Sequence, residues 1–186
     1  MQLNKEVPMR TIQTLVFCGY VDHTPGTDSQ PVRLTEEGTL HAKAIQAQLK
    51  DRINANFDYV FFDGTLAGMY TANIIGCEVI KESMNILQLP PELKKLDTGK
   101  KLADLSDEEW IGLDAWLFSV HTKFEERVRL FPAGSHILIV GDPFAMITLG
   151  YSQADDEDEE RYFHQHIAGP GFYGKVTSSK EAQVLQ

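Results

Sequence analysis

Apolar positions along the chain fall into short continuous runs and into longer segments in which they recur every three or four residues. The runs are TIQTLVF at 11–17, FDYVFFDG at 57–64 and HILIV at 136–140. Each is rich in β-branched or aromatic residues, and a glycine or an aspartate follows at or near its end. Such runs predict three buried β-strands.

Helical periodicity follows the first two strands. In the segment 34–53, Thr35 is a suitable N-cap, glutamates fill the first turn, and apolar residues lie four apart at Ile45, Leu49 and Ile53. A second helix is predicted to start at Thr65. Its apolar positions fall on one face, which carries Leu66, Tyr70, Ile74, Cys77 and Ile80.

Two more helices are predicted in the second half of the chain. Ser106 and Glu109 lie three apart and have the residue types of a capping box. The helix that they begin carries an apolar stripe typical of a core-facing helix, formed by Trp110, Leu113, Leu117, Val120, Phe124 and Val128. After the third strand, Asp142 is a good helix cap, and Pro143 suits the first helical position.

Alternation of strands and helices predicts a three-layer α/β sandwich with a mostly parallel central sheet. Ligands of such folds lie at the carboxyl ends of the strands. Those ends are Cys18–Gly19, Asp63–Gly64 and Gly141–Asp142. Residues 1–186 suit a single domain. The acidic run DDEDEE at 155–160 predicts a solvated loop over about 153–161.

Composition excludes several classes of function. A net charge of −10 is unsuited to nucleic acid, which needs a basic protein face. No apolar stretch is long enough to span a membrane, and MQLNKEVPMR at the start lacks the apolar segment of a secretory signal. Two cysteines form no metal-ligand pattern and indicate free thiols in a cytoplasmic protein. We therefore expect no cofactor and no metal.

Three motifs in order resemble those of the histidine phosphatase superfamily, especially its small bacterial phosphohistidine phosphatases. LTEEG at 34–38 matches the family's Leu-Thr-x-x-Gly. Leu66, Thr71 and Ala72 fit its segment Leu-x-Arg-Ala-x-x-Thr-Ala or the near variant Leu-Arg-Ala-x-x-Thr. The strand in ILIVGD matches the one that ends in Ser-His in the family. The resemblance covers roughly 11–152 and the segment GFYGKVT as a last strand. It implies a phosphoglycerate mutase-like fold.

The resemblance also implies which positions would carry the chemistry. The family's first arginine and its nucleophilic histidine correspond to Cys18 and Gly19. Ala67 stands in place of the second arginine, and Asp142 in place of the second histidine. Phosphoryl transfer needs fixed positive donors, and glycine cannot form a covalent intermediate. A carboxylate of Asp142 facing the pocket would repel phosphate. These positions predict an inactive phosphatase-like protein that binds an unknown protein or small ligand.

Two alternatives remain open from the sequence. The first is a rebuilt active site at the same strand ends, with Cys18, His23, Asp63 or Asp142 as the reacting or ligand-binding groups. A reactive cysteine would need a thiol pKa lowered by nearby positive charge. The second alternative is an active phosphatase whose residues align differently.

Two weaker signals complete the sequence. Active relatives use an acidic residue as proton donor, and Asp97 in KKLDTGKK is the nearest candidate, within a stretch expected to be a solvated loop. HQH at 164–166 would place two histidines on one face of a strand. No third ligand accompanies them, so this pair does not predict a metal site.

Overall fold

The structure is a computed structural model that describes residues 13–53, 56–96, 99–128 and 130–178. Its seven strands are β1 (Gln13–Gly19), β2 (His23–Thr24), β3 (Arg33–Leu34), β4 (Tyr59–Phe62), β5 (Lys81–Ser83), β6 (His136–Gly141) and β7 (Tyr173–Ser178). Its α-helices are α1 (Glu36–Ile53), α2 (Leu66–Ile75), α3 (Asp107–Val128), α4 (Pro143–Gln153) and α5 (Glu157–Gln165). Three short 3₁₀ helices lie between β5 and α3, at Asn85–Leu87, Leu93–Lys95 and Leu102–Asp104.

Five strands form the central sheet in the order β5-β4-β6-β1-β7. All neighbours are parallel except β1 and β7. The register pairs Gly19 of β1 with Gly141 of β6, and Phe62 of β4 with Val140 of β6. The three strands therefore end at the same edge of the sheet, as the sequence predicts for strands that position a site.

Alternating side chains of the sheet pack on opposite faces. Phe17 and Ile139 belong to the core cluster that includes α3, α4 and α5 residues. Val16 and Leu138, their sequence neighbours, belong to a second cluster that includes α1 and α2 residues. A sheet covered by helices on both faces confirms the predicted three-layer α/β class.

The predicted capping box is present at the start of α3. The backbone N–H of Ser106 donates to the Glu109 carboxylate at 2.8 Å, and the backbone N–H of Glu109 donates to the Ser106 hydroxyl at 3.3 Å. The predicted stripe faces the core, with Leu113, Val120, Phe124 and Val128 buried and Trp110 and Leu117 partly buried against them. Among the described helices, none has the length and apolar character that crossing a bilayer requires.

The sequence-based prediction of which face of α2 is buried is wrong. The helix ends at Ile75, so Cys77 and Ile80 lie beyond it, and Leu66 and Ile80 are 43% and 89% exposed. The buried face instead carries Ala67, Gly68, Thr71, Ala72 and Ile75. Most of these side chains are small, and they let the helix backbone approach its neighbours closely.

The acidic run is a helix start rather than a loop. The Asp156 carboxylate accepts the backbone N–H groups of Asp158 and Glu159 at 3.0 and 2.8 Å, which caps α5. The acidic first turn of α5 lies at the positive end of the helix dipole, where negative charge is stabilising. HQH is likewise not on a strand, since His164 lies within α5 and His166 is its C-cap.

Candidate functional site

Backbone hydrogen bonds link the residues that follow β1 and β4 to the end of β6, next to the candidate site. The backbone N–H of Tyr20 donates to the Gly141 carbonyl at 2.9 Å, and that of Asp63 donates to the Val140 carbonyl at 3.0 Å. The first residues after the strands are thus held side by side. This brings together the loop after β1, the turn before α2 and the start of α4.

A cavity of about 200 Å³ opens at this edge. Its polar lining is formed by Tyr20, Asp22, His23, Lys94 and Asp142. Apolar walls come from Leu93, Leu96, Pro143, Phe144 and Pro170. The cavity lies at the carboxyl ends of parallel strands, which is where α/β folds hold their ligands.

Asp142 makes contacts through both carboxylate oxygens. Oδ1 accepts the backbone N–H groups of Phe144 and Ala145 at 2.9 and 3.4 Å, so Asp142 is the N-cap of α4. The Tyr20 hydroxyl donates to Oδ2 at 3.0 Å. The predicted cap is therefore confirmed, and the same carboxylate also tethers the loop after β1.

Tyr20 is a hydrogen-bond donor at this site, with its hydroxyl protonated. Burial is the main cause that raises its pKa, and the negative charge of Asp142, its hydrogen bond and the more distant Asp63 raise it further. Its ring meets the His23 ring edge-on, with centroids 5.0 Å apart. Sequence reasoning missed Tyr20, although its position directly after a strand end could have indicated it.

The space beside Gly19 is filled by Pro143. A Cβ added to Gly19 would lie 3.0 Å from both Cα and Cγ of Pro143, which is closer than ordinary packing. A side chain at the position that corresponds to the family's nucleophile would therefore need the start of α4 to move.

Cys18 lies in the core below the cavity and does not line it. Its side chain is fully buried in the cluster shared with α1 and α2, and its Sγ donates to the Gly19 carbonyl at 3.4 Å. Burial raises the pKa of the Cys18 thiol to about 12. The sequence offers Cys18 as a reacting group of a rebuilt site, but its side chain does not line the cavity because β1 points it away. Both cysteines are free thiols, and Cys77 is exposed.

Asp63 and Ala67 are also buried away from the cavity. Asp63 is 2% exposed, and its Oδ1 accepts the Thr65 backbone N–H at 3.0 Å and the Thr65 hydroxyl at 2.6 Å. Burial raises the pKa of Asp63, the bonds from Thr65 oppose this, and the charges of Asp142 and Lys94 act in opposite directions. Asp63 shapes the turn before α2, so of the ligand candidates only His23 and Asp142 line the cavity.

The tautomer of His23 follows from its hydrogen bond. Its Nδ1 lies 3.1 Å from the Val21 carbonyl, which can only accept, so Nδ1 carries the proton. In the neutral ring Nε2 then has a free lone pair. This nitrogen can act as an acceptor or as a base toward a ligand in the cavity.

Lys94 is the single lysine or arginine in the described lining of this cavity. It lies on the 3₁₀ helix Leu93–Lys95, where the sequence predicted a solvated loop. Asp97, the proposed proton donor, lies outside the described residues. Within the part of the chain that is described, no three histidine, cysteine or carboxylate side chains are grouped as a metal site would need.

Solved structures with the phosphoglycerate mutase-like fold are similar to this chain over most of its length. The mycobacterial glucosyl-3-phosphoglycerate phosphatase is similar over 88% of this chain and 89% of its own, with a TM-score of 0.60 and 12% identity. The α-ribazole phosphatase of Shigella flexneri is similar over 90% of this chain and 95% of its own, with a TM-score of 0.58 and 15% identity. A Nakamurella multipartitia protein, provisionally named a phosphohistidine phosphatase, is similar over 91% of this chain and 87% of its own. Its TM-score is 0.58 and its identity 14%.

These neighbours are histidine phosphatase superfamily proteins, and the similarity establishes the fold of this chain. The predicted fold class is therefore confirmed. The sequence itself matches no family model and no curated protein.

Proposed function

We propose that this protein is a catalytically inactive, phosphatase-like protein that binds a protein or a small ligand at the strand-end cavity. The observation that supports this most is the hydrogen bond from Tyr20 to Asp142, beside Pro143 packed on Gly19. Gly19 and Asp142 stand where the resemblance calls for the nucleophile and the second histidine, Pro143 fills the space beside Gly19, and Tyr20 holds the Asp142 carboxylate. We further propose that the protein acts in the cytoplasm, in keeping with its free thiols.

The charge of the cavity supports binding rather than phosphoryl transfer. A transferring phosphoryl group spreads negative charge over its oxygens, and each hydrogen bond from a charged donor contributes about 1.5–3 kcal/mol. Lys94 is one such donor, whereas Asp22 and Asp142 are carboxylates in the same lining. One cation does not offset two carboxylates, so the described lining is poorly matched to the negative charge of a transferring phosphoryl group.

A second candidate function rests on His23. Its Nε2 is free to accept a proton and Lys94 lines the same cavity, so a general base and a cation are both available. In that case the protein would be a hydrolase with a rebuilt active site. Cys18 and Asp63 take no part in it, because both are buried outside the cavity.

Phosphate release separates the two candidates. We would measure it from p-nitrophenyl phosphate and from phosphohistidine, with the wild-type chain, His23→Ala, Lys94→Ala and the exposed control Lys123→Ala. The inactive protein releases no more phosphate than a buffer blank in every variant. Release that His23→Ala abolishes and Lys123→Ala retains would overturn the proposal and establish the rebuilt hydrolase. Release retained by both variants would point to a contaminant, which repurification to constant specific activity identifies.

A further inference from the structure

A second groove, of about 700 Å³, runs along the start of β7 and the end of α5. Its lining includes the cations of Arg52 and Lys101 and the rings of Tyr162, His166, Phe172 and Tyr173. No aspartate or glutamate is present among the described residues that line it, although the chain carries a net charge of −10. The groove itself thus lacks carboxylates among its described lining, although Arg52, Tyr162 and Tyr173 also line a neighbouring groove that contains Asp156, Asp158 and Glu159.

The aromatic rings of the groove are held in place. The Tyr162 hydroxyl donates to the Tyr173 carbonyl at 2.6 Å, and its ring stacks on His166 with centroids 3.7 Å apart. Burial, together with the neighbouring Tyr173, raises the pKa of Tyr162, so the hydroxyl remains a donor. His166 is exposed and its ring is held against Tyr162, so its outward face can stack with a planar ring at a low cost in side-chain entropy.

Cations lie beside these rings. The Arg52 guanidinium lies 5.7 Å from the centroid of the Tyr173 ring. None of the ion pairs among the described residues involves Arg52 or Lys101. Their charges are therefore available to an anion, and a guanidinium can bind a phosphate or carboxylate through two parallel hydrogen bonds.

The wall of the groove is an ordered loop. The backbone N–H of Ala168 donates to the Lys100 carbonyl at 2.8 Å, and that of Gly171 donates to the Tyr20 carbonyl at 3.2 Å. Gly171 has a φ of +72° and packs on the His41 ring, where a Cβ would collide. The groove is consequently formed before any ligand arrives.

We propose that this groove binds a small organic anion that carries a planar aromatic ring, the chemistry of a nucleoside monophosphate. The ring would stack on the aromatic faces and the anionic group would pair with Arg52 or Lys101. This groove is a different site from the strand-end cavity, and its proposed ligand does not depend on the function proposed for that cavity. Pro170 lines both the groove and the cavity.

Calorimetric titration with adenosine monophosphate, adenosine and inorganic phosphate tests the proposal. We expect the monophosphate to bind more tightly than either part alone. Arg52→Gln should weaken its binding by roughly ten- to a hundredfold, which corresponds to losing one hydrogen bond to a charged group. The control Lys123→Gln makes a comparable change of charge on the exposed side of α3 and should leave the affinity unchanged.

Two results would overturn the proposal. The first is an absence of monophosphate binding to the wild-type chain at millimolar concentration. The second is binding that Lys94→Gln abolishes and Arg52→Gln leaves intact, because the ligand would then occupy the strand-end cavity. A loss of binding in Arg52→Gln, with native thermal unfolding and with Lys94→Gln still binding, supports the groove whether or not the protein releases phosphate.

Discussion

The Tyr20 hydroxyl donates to the Asp142 carboxylate at 3.0 Å across a sequence separation of 122 residues. Tyr20 follows β1, and Asp142 caps α4 after β6. One hydrogen bond therefore closes the edge of the sheet between two neighbouring parallel strands. The acceptor is Oδ2 of Asp142, whereas Oδ1 caps α4.

Removing this hydroxyl should destabilise the protein. We expect Tyr20→Phe to lower the free energy of unfolding by about 1.5–3 kcal/mol, because a partly buried hydrogen bond to a charged group is lost. Urea denaturation measures the change. Tyr70→Phe is the matched control, since its hydroxyl makes no hydrogen bond among the described residues, and an equal loss in both variants would contradict the role of the Asp142 contact.

A methyl group at Gly19 should destabilise the protein. We expect Gly19→Ala to lower the free energy of unfolding by about 1–3 kcal/mol, because its Cβ would lie 3.0 Å from Pro143. Gly169→Ala serves as the comparison, as no atom lies within 4 Å of the Cβ that it would add. Equal unfolding temperatures for the two variants would contradict this prediction, because they would show that the start of α4 moves to accommodate the methyl group.

The two thiols should differ sharply in reactivity. Cys77 is exposed, and Cys18 is buried with a thiol pKa raised to about 12. Ellman's reagent at pH 8 should therefore modify one thiol rapidly in the native protein and the second only after unfolding. Cys77→Ser should remove the fast phase. A fast phase that persists in Cys77→Ser would mean that Cys18 is accessible.

Alkaline pH should destabilise the fold through Cys18. The thiol pKa is about 12 in the folded protein against an ordinary value of 9.0, so the unfolded chain loses this proton first. The stabilisation is complete below pH 9 and is lost as the pH rises toward 12, by at most about 1.4 kcal/mol per pH unit. Urea denaturation of the wild type and of Cys18→Ala from pH 8 to 10.5 should give a shallower slope for the variant. Parallel slopes would rule out this contribution.

Local signals in the sequence were sufficient for most elements. The three apolar runs became β1, β4 and β6, and the capping box at Ser106 and Glu109 starts α3. These predictions succeed because a buried strand and a helix cap depend on neighbouring residues.

The predictions that failed each involve a second element. The large apolar residues of α2 suggested one buried face, whereas close packing selected the face with Ala67 and Ala72. The acidic run suggested a loop, and instead Asp156 caps α5 while Thr177 of β7 donates its backbone N–H to Glu159. The charge that favours solvent in an isolated segment here completes hydrogen bonds of a helix and of an edge strand.

By itself, the sequence determined the α/β class, the strand ends and the residue types at them, because hydrophobic periodicity and caps act over a few residues. Only the tertiary structure decided which of those residues share a cavity. It buried Cys18 and Asp63, placed Lys94 in the same cavity as His23, and brought Tyr20 to Asp142. Parallel strands that lie far apart in the chain meet at one edge of the sheet, and side-chain direction along each strand then selects what faces the cavity.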